Sequence, residues 1–311
     1  MRQLLDTSGA AGESLELLDV ASDLVFADTA KRARPLVCAV LGHAYGVHGR
    51  PLRVLAASVE LVHAASLLHD DVVDESPLRR GRPTANARFG SGMAVLSGDL
   101  VLCRALGAMS RLGPGLVECA IDTVEAMSGA ALAELDARRD FTVDRARWTE
   151  IAHGKTAVLF GLCGEGVGRL AGHEELGRTL KAALVELGLA FQILDDVGDF
   201  GNGTSKPRLQ DLREGNPSFP IVLACEADDS LRSALAAAWE GGTPSEQTLN
   251  TLAVRVAGGG ALARAIEIAK AHVREARCLL GDETARLGDL FRWAEALAGP
   301  VPLDETGGEA A

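Results

Sequence analysis

The sequence predicts an all-α fold. Apolar residues recur at helical spacing through almost every segment, and alternation with a period of two never persists. The composition is rich in Ala, Leu and Val, with 4% aromatic residues and a single Tyr, which suits closely packed helices better than stacked strands. Clusters of Gly, Pro and polar residues cut the periodic runs into helix-sized pieces.

Taken in order, the runs predict helices at about 12–27, 34–46, 51–74, 92–111, 114–138, 145–171, 173–200, 217–227, 230–240, 245–256 and 260–282. Pro35 suits the first turn of the second of these, since proline is tolerated where the backbone N–H has no helical partner. The breaks are GVHGRP at 46–51, ESPLRRGRPT at 75–84, RLGPG at 111–115, GNGTSKPRLQ at 201–210 and EGGTPSE at 240–246. None is long enough to be a linker between domains. One helical domain is expected over 1–298, with a disordered tail at 299–311.

One internal echo carries chemistry. SLLHDDVVDE at 66–75 resembles FQILDDVGDF at 191–200: each apolar run ends in Asp-Asp-x-x-Asp and is followed by a polar loop. Positions i and i+4 share a helix face. Asp70 therefore stands beside Asp74 with Asp71 flanking, and Asp195 beside Asp199 with Asp196 flanking. Three like charges in one turn repel each other, and the macrodipole disfavours anions at a helix C-terminus. A cation would remove both penalties. Magnesium takes one or two carboxylates together with substrate phosphate oxygens and water, so two such clusters could hold a diphosphate through several Mg²⁺ ions. Calcium is a weaker rival, because the EF-hand loop with its central Gly is missing.

The formal charge of −12, from 31 Lys and Arg against 43 Asp and Glu, disfavours a general nucleic-acid or anionic-membrane surface. An anion would have to be held by local cations. Lys31, Arg32 and Arg34 precede Pro35, Arg79 and Arg80 follow the first Asp cluster, and Lys155 and Thr156 sit in HGKTAVLF. Arg grips phosphate oxygens bidentately, Lys offers a point charge and Thr a hydroxyl donor. The Gly-Lys-Thr alone is no nucleotide signature, since the rest of the P-loop pattern is absent. Cysteines at 38, 103, 119, 163, 225 and 278 lack metal-site or disulfide spacing and read as reduced, mostly buried thiols. The first residues lack the apolar core of a signal peptide, and nowhere do about 18 apolar residues run consecutively, so a cytoplasmic protein is expected.

These residues resemble the trans-prenyl diphosphate synthase family. VELVHAASLLHDDVVDESPLRRGRPTANARFG at 59–90 looks like its first aspartate-rich region, and FQILDDVGDF with SKPRLQDLREGNPSFP looks like its second. AKRARP at 30–35, SGDLVLCRA at 97–105, HGKTAVLF at 153–160 and GGGALARAIEIAKAHVREA at 258–276 fit the same pattern in the same order. The resemblance implies a helical bundle of the isoprenoid synthase type with a central cavity between two Asp-rich helix ends. It also implies condensation of isopentenyl diphosphate with an allylic diphosphate, about three Mg²⁺ ions with substrate bound, and a homodimer. Lys31, Arg34, His63 and Arg80 would bind isopentenyl diphosphate. Arg79, Lys155, Thr156, Gln192 and Lys206 would contact the allylic diphosphate. Asp70, Asp74 and Asp195 would be the principal metal ligands, supported by Asp71, Asp196 and Asp199. His43 and His69 match no ligand position and read as packing or supporting groups.

The chain departs from the family pattern in places. Where Gly-Glu-x-x-Gln is usual it reads GAALAELD, so Ala130 and Ala133 replace two polar groups unless Glu134 substitutes from a shifted register. Asn216 replaces the Lys of the usual Gly-Lys-x-Thr, Ser218 its Thr, and the Gly pair before Lys31 is missing. Small residues at Ala65 and Ser66, in the turn before Asp70, point to an open tail channel and a product of geranylgeranyl length or longer. The rivals are a terpene cyclase, against which Lys31, Arg34 and Arg80 argue, and a non-catalytic synthase subunit, which has no need for two intact Asp clusters. A phosphohydrolase built on His43 and His69-Asp70 would leave the second cluster unexplained.

Overall fold

The computed structural model describes residues 32–79, 81–201 and 209–297. They are almost entirely helical, and the one sheet among them is a two-stranded antiparallel ribbon. The chain forms two compact units, one of Met1–Glu125 and Leu159–Lys181, the other of Ala126–Val158 and Ala182–Ala311.

The first unit contains α1 (Ala33–Ala44), α2 (Gly49–Val73), the ribbon β1 (Leu78–Arg79) and β2 (Arg82–Pro83), α3 (Ala85–Phe89) and α4 (Ser91–Ser110). The first half of α5 (Pro114–Ala137), nearly all of α7 (Val158–Leu170) and the start of α8 (Glu174–Gly198) belong to it as well. Leu55, Leu61 and Leu68 of α2 are fully buried, each worth about 1.5–3 kcal/mol relative to exposure, and α2 packs chiefly on α4 and α1. Gly98 of α4 makes room for the His69 ring of α2, because a Cβ there would lie 2.2 Å from His69 Nε2. Deeper in, Glu165 accepts from Cys119 Sγ at 2.9 Å, pairs with Lys181 at 2.8 Å and with Arg169 at 3.2 Å. Burial pushes that carboxyl up, but these donors outweigh it and hold it below its ordinary range.

By length and composition α2 and α4 could each cross a membrane, with mean hydropathy 1.4 over their most apolar windows. Their apolar content has a second explanation, since 56% of the α2 window and 39% of the α4 window is buried, and α2 ends in the first Asp cluster.

The second unit holds the rest of α5, α6 (Arg145–Ala152), a π-helical turn at His153–Ala157, and most of α8. It also holds α9 (Gln210–Glu214), α10 (Phe219–Ala227), α11 (Asp229–Trp239), α12 (Glu246–Gly258), α13 (Ala261–Leu280), a 3-10 segment at Gly281–Leu287 and α14 (Gly288–Leu297). Helix starts are capped by side chains: Asp144 accepts from Arg147 N, Asp228 from Ser230 N and Leu231 N, and Ser245 from Thr248 N. The core centres on α10, buried from Phe219 to Cys225, with Trp148 4.4 Å from Phe219 between ring centroids.

The expected helices match within two or three residues, apart from 12–27, which lies outside the described residues. The run at 145–171 is not one α-helix, because the π-turn interrupts it. Helix α14 lies beyond the last expected run: Gly281, at φ 52°, ends α13, and the 3-10 segment breaks the 3.6 period before Leu290, Phe291 and Ala294 resume it. The five-residue α3 and α9 are too short to show a period. All six cysteines are free thiols and four are buried. Burial pushes Cys119 and Cys225 up to about 11.

Candidate active site

In the first unit, α2 carries His63, Asp70 and Asp71 and is capped by Asp74, whose N–H donates to the Asp70 carbonyl at 2.8 Å. Asp70 and Asp74 are partly exposed, whereas Asp71, one position round the helix, is 1% exposed. The Asp71 carboxylate receives the Arg79 Nε–H at 2.6 Å, which ties the ribbon to the helix end. Burial pushes Asp71 above the usual carboxylate value, against the pull of Arg79. The Arg79 Nε–H is thus committed to a carboxylate. His69, beside the cluster, lies with Nε2 3.2 Å from the Val95 carbonyl and 3.4 Å from Asp99, wedged against Gly98. It anchors the end of α2 to α4, a supporting role for which the Gly of SGDL was the available signal. Arg34 is buried, with its guanidinium 5.0 Å over the Phe160 ring. His63 is partly exposed and His43 exposed. Lys31 and Arg80 lie outside the described residues.

In the second unit Thr156, Gln192 and Asp196 form one connected chain that ends at Phe219 N. Thr156 Oγ1 donates to Gln192 Oε1 at 2.6 Å, Gln192 Nε2 donates to Asp196 Oδ1 at 2.7 Å, and Phe219 N donates to Asp196 Oδ2 at 2.9 Å. An ionised carboxylate only accepts, so Asp196 fixes the direction of the whole chain. Gln192 must present its amide N–H to Asp196 and its carbonyl to Thr156. In this arrangement the threonine proton is directed to Gln192. Asp199 accepts from Gln210 N at 3.0 Å and Asp211 N at 3.1 Å, closing the start of α9. Asp196 and Asp199 are buried, and Asp195 is the partly exposed member of this cluster.

Lys155 sits in the π-turn and pairs with Glu134 near the end of α5. Such turns are uncommon and recur at functional sites. The turn lies close to α5, since a Cβ on Gly154 would be 2.6 Å from Ala130 Cβ and 2.9 Å from the Ala126 carbonyl. Ala130 is a packing residue at that approach. Asn216 receives the Arg138 Nε–H at 3.3 Å and donates Nδ2 to Glu214 Oε2 at 3.0 Å. Arg138 was not anticipated from the sequence. Lys206 lies outside the described residues.

Each cluster, taken by itself, offers oxygen donors of the kind magnesium takes. Asp70 and Asp74 in the first unit are partly exposed and Asp71 is buried; in the second unit Asp195 is partly exposed and Asp196 and Asp199 are buried. Among the described residues no three His, Cys, Asp or Glu side chains converge on a preformed metal site. A site with few protein carboxylates, completed by phosphate oxygens and water, is the kind magnesium occupies.

A family model described as polyprenyl synthetase matches residues 15–255. An all-trans-nonaprenyl-diphosphate synthase (geranyl-diphosphate specific) of Rhodobacter capsulatus is 38% identical over 202 residues, covering 63% of this chain and 62% of that protein. The chain thus spans less than two thirds of that relative's length. Among solved structures, a decaprenyl diphosphate synthase from Rhodobacter capsulatus superposes with a TM-score of 0.86 at 27% identity, covering 96% of this chain and 94% of the other. A polyprenyl synthase from Caulobacter crescentus CB15, complexed with calcium and isoprenyl diphosphate, gives 0.86 at 26% identity, covering 96% and 93%.

Proposed function

Because this chain belongs to the polyprenyl synthetase family, we propose that it is a trans-prenyltransferase. It condenses isopentenyl diphosphate with an allylic diphosphate to give a linear all-trans polyprenyl diphosphate of geranylgeranyl length or longer. The observation that carries the reading is that each Asp cluster divides its labour: buried members hold the scaffold while Asp70, Asp74 and Asp195 remain partly open. The names of the nonaprenyl and decaprenyl relatives support products beyond geranylgeranyl.

Asp70, Asp74 and Asp195 would hold magnesium, which when bound supplies neutralising charge for the departing diphosphate. Lys155, steadied by Glu134, presents its ammonium to the allylic diphosphate together with Arg79 and Lys206. Gln192 and Thr156 keep the π-turn in place. Lys31, Arg34, His63 and Arg80 hold isopentenyl diphosphate, whose double bond attacks the allylic carbon as the diphosphate leaves. Apolar walls keep water from the cation, and loss of a proton to the released diphosphate completes one elongation.

The protein acts in the cytoplasm and as a homodimer; the exposed apolar side chains Val95, Leu96 and Leu100 on α4 support the association. Labelled isopentenyl diphosphate, offered with each of dimethylallyl, geranyl, farnesyl and geranylgeranyl diphosphate and Mg²⁺, tests the activity. Extended linear diphosphates are expected. Cyclic hydrocarbons from one substrate alone, or no elongation with any primer, would overturn the proposal.

A further inference from the structure

Within the first unit, α1 and α7 meet at two successive levels. At one, the Arg34 guanidinium of α1 lies 5.0 Å over the Phe160 ring of α7. At the other, a turn further along each helix, the Cys38 thiol hydrogen-bonds with that of Cys163. Arg34 and Cys38 share a face of α1, and Phe160 and Cys163 a face of α7, because residues three or four apart are neighbours on a helix. Cys163 Sγ also reaches the Leu159 carbonyl at 3.4 Å and the Arg34 carbonyl at 3.8 Å. The Arg34 oxygen is the one that receives the Cys38 N–H in the α1 ladder. A side chain of α7 thus touches the backbone of α1 at the very turn that carries Cys38.

Both thiols are free and fully buried. Packing alone asks only for apolar volume here, which Ala or Val supplies. Two sulfurs in contact add a reaction, since a disulfide needs facing Cβ atoms about 4 Å apart. The two helices are not equally free to move. On α7, a Cβ at Gly164 would lie 2.7 Å from the Leu180 carbonyl carbon of α8, and one at Gly168 would lie 2.3 Å from Gly177 Cα. Helix α7 is therefore clamped to α8. Helix α1 packs on α2, and Leu36, 45% exposed, marks its outer side as open to water. Of the pair, α1 is the element that yields.

We propose that Cys38 and Cys163 are a redox-responsive thiol pair, closing to a reversible disulfide that ties α1 to α7. The hydrogen bond with Cys163, burial and the charge of Glu60 push the Cys38 thiol up. The resting pair is therefore unreactive, and oxidation waits on local opening of α1. With a small disulfide as oxidant, one protein thiolate attacks a reagent sulfur and expels a thiolate. The second protein thiolate attacks the protein sulfur of that mixed disulfide, forming the Cys38–Cys163 bond and expelling the other half of the reagent. Two protein thiols are oxidised, and one reagent disulfide is reduced to two thiols that take up the two protons. The cross-link acts through Arg34, one turn away on the same face of α1, because a close-packed interior transmits the shift. Its consequence for isopentenyl diphosphate rests on the prenyltransferase reading above, in which Arg34 holds that substrate.

The test uses the full chain with the exposed thiols removed by Cys103→Ser and Cys278→Ser. Hydroxyethyl disulfide is added in urea well below the unfolding transition followed by circular dichroism. Peptide mapping without reductant should show Cys38 joined to Cys163, and dithiothreitol should separate them. A map without that peptide, or one in which it appears only in step with global unfolding, overturns the proposal. After urea and reagent are removed, KM for isopentenyl diphosphate should be raised on the order of tenfold in the oxidised protein as the Arg34 contact weakens, with KM for the allylic diphosphate within about twofold. Dithiothreitol should reverse the rise, and Cys38→Ala should abolish it. An unchanged KM, or an equal rise in both constants, overturns the coupling through Arg34. If the reduced protein elongates no primer, the prenyltransferase reading falls, and the peptide map still decides the thiol pair.

Discussion

Replacing Asp196 should separate scaffold from metal ligand within a single Asp-Asp pair. The Asp196 carboxylate accepts from Gln192 Nε2 and Phe219 N and is buried. In Asp196→Asn, Phe219 N can keep the remaining oxygen, and the new amide N–H can serve Gln192 only if the glutamine turns over. Thr156 then accepts instead of donating, so the chain persists with its direction reversed. Hydrogen bonds to a charged acceptor are worth about 1.5–3 kcal/mol and neutral ones about 0.5–1.5. Exchanging two of the first kind for two of the second costs about 2 kcal/mol. Asp196→Ala strands both donors at about 1–3 kcal/mol each, for a total near 4 kcal/mol. Asp195→Ala, at a partly exposed position, should cost less than about 1 kcal/mol. Urea unfolding followed by circular dichroism reads all three. Equal losses in Asp196→Asn and Asp196→Ala, or a larger loss in Asp195→Ala, would refute the hydrogen-bond reasoning.

Other expectations follow from the same geometry. Asp70→Ala and Asp195→Ala should each lower turnover by several orders of magnitude with the circular dichroism spectrum retained; near-normal rates in either would defeat the metal-ligand assignment. Ser66, partly exposed on α2, is the place to shorten the product, and Ser66→Tyr should shift chromatographed, dephosphorylated products to shorter chains while activity persists; an unchanged distribution removes this turn as the gate. Ala65 is 2% exposed, so Ala65→Phe should instead destabilise by about 1–3 kcal/mol through overpacking. Asp228 is held down to about 2, from an ordinary 3.8, by the Ser230 hydrogen bond and by Arg255. A folded value below the unfolded one adds stability above about pH 4 that is lost as pH falls through about 2. Asp228→Asn should therefore lower the urea midpoint at pH 7 by more than at pH 2, and a gap independent of pH would contradict this.

The helical architecture was legible because buried faces impose a 3.6 period, and both Asp clusters were legible because three acids closing an apolar helix are costly without a cation. The division of roles inside each cluster came from the family resemblance alone, since spacing treats the acids of a cluster alike. Asp70 and Asp71 differ by one position, and only packing decides that Asp71 turns inward to Arg79. The same holds for Asp195 and Asp196. The pairing of Glu134 with Lys155 left no local signal, because the two are 21 residues apart in sequence. Arg138 left no more trace, because its contact to Asn216 spans 78 residues and an Arg pair after a helix reads as ordinary surface.

The π-turn at His153–Ala157 acts as a phase correction. Trp148 meets Phe219, and eight residues later Thr156 meets Gln192, which is linked through Asp196 to the same Phe219. In an uninterrupted helix, eight steps of about 100° leave two side chains about 80° out of alignment. Absorbing one extra residue in a wider turn makes the offset that of seven steps, about 20°. An aromatic anchor and a polar one can then address the same wall. The irregularity is what allows one nearly continuous rod to be glued by Trp148 and aimed by Thr156, with Lys155 carried on the turn between them.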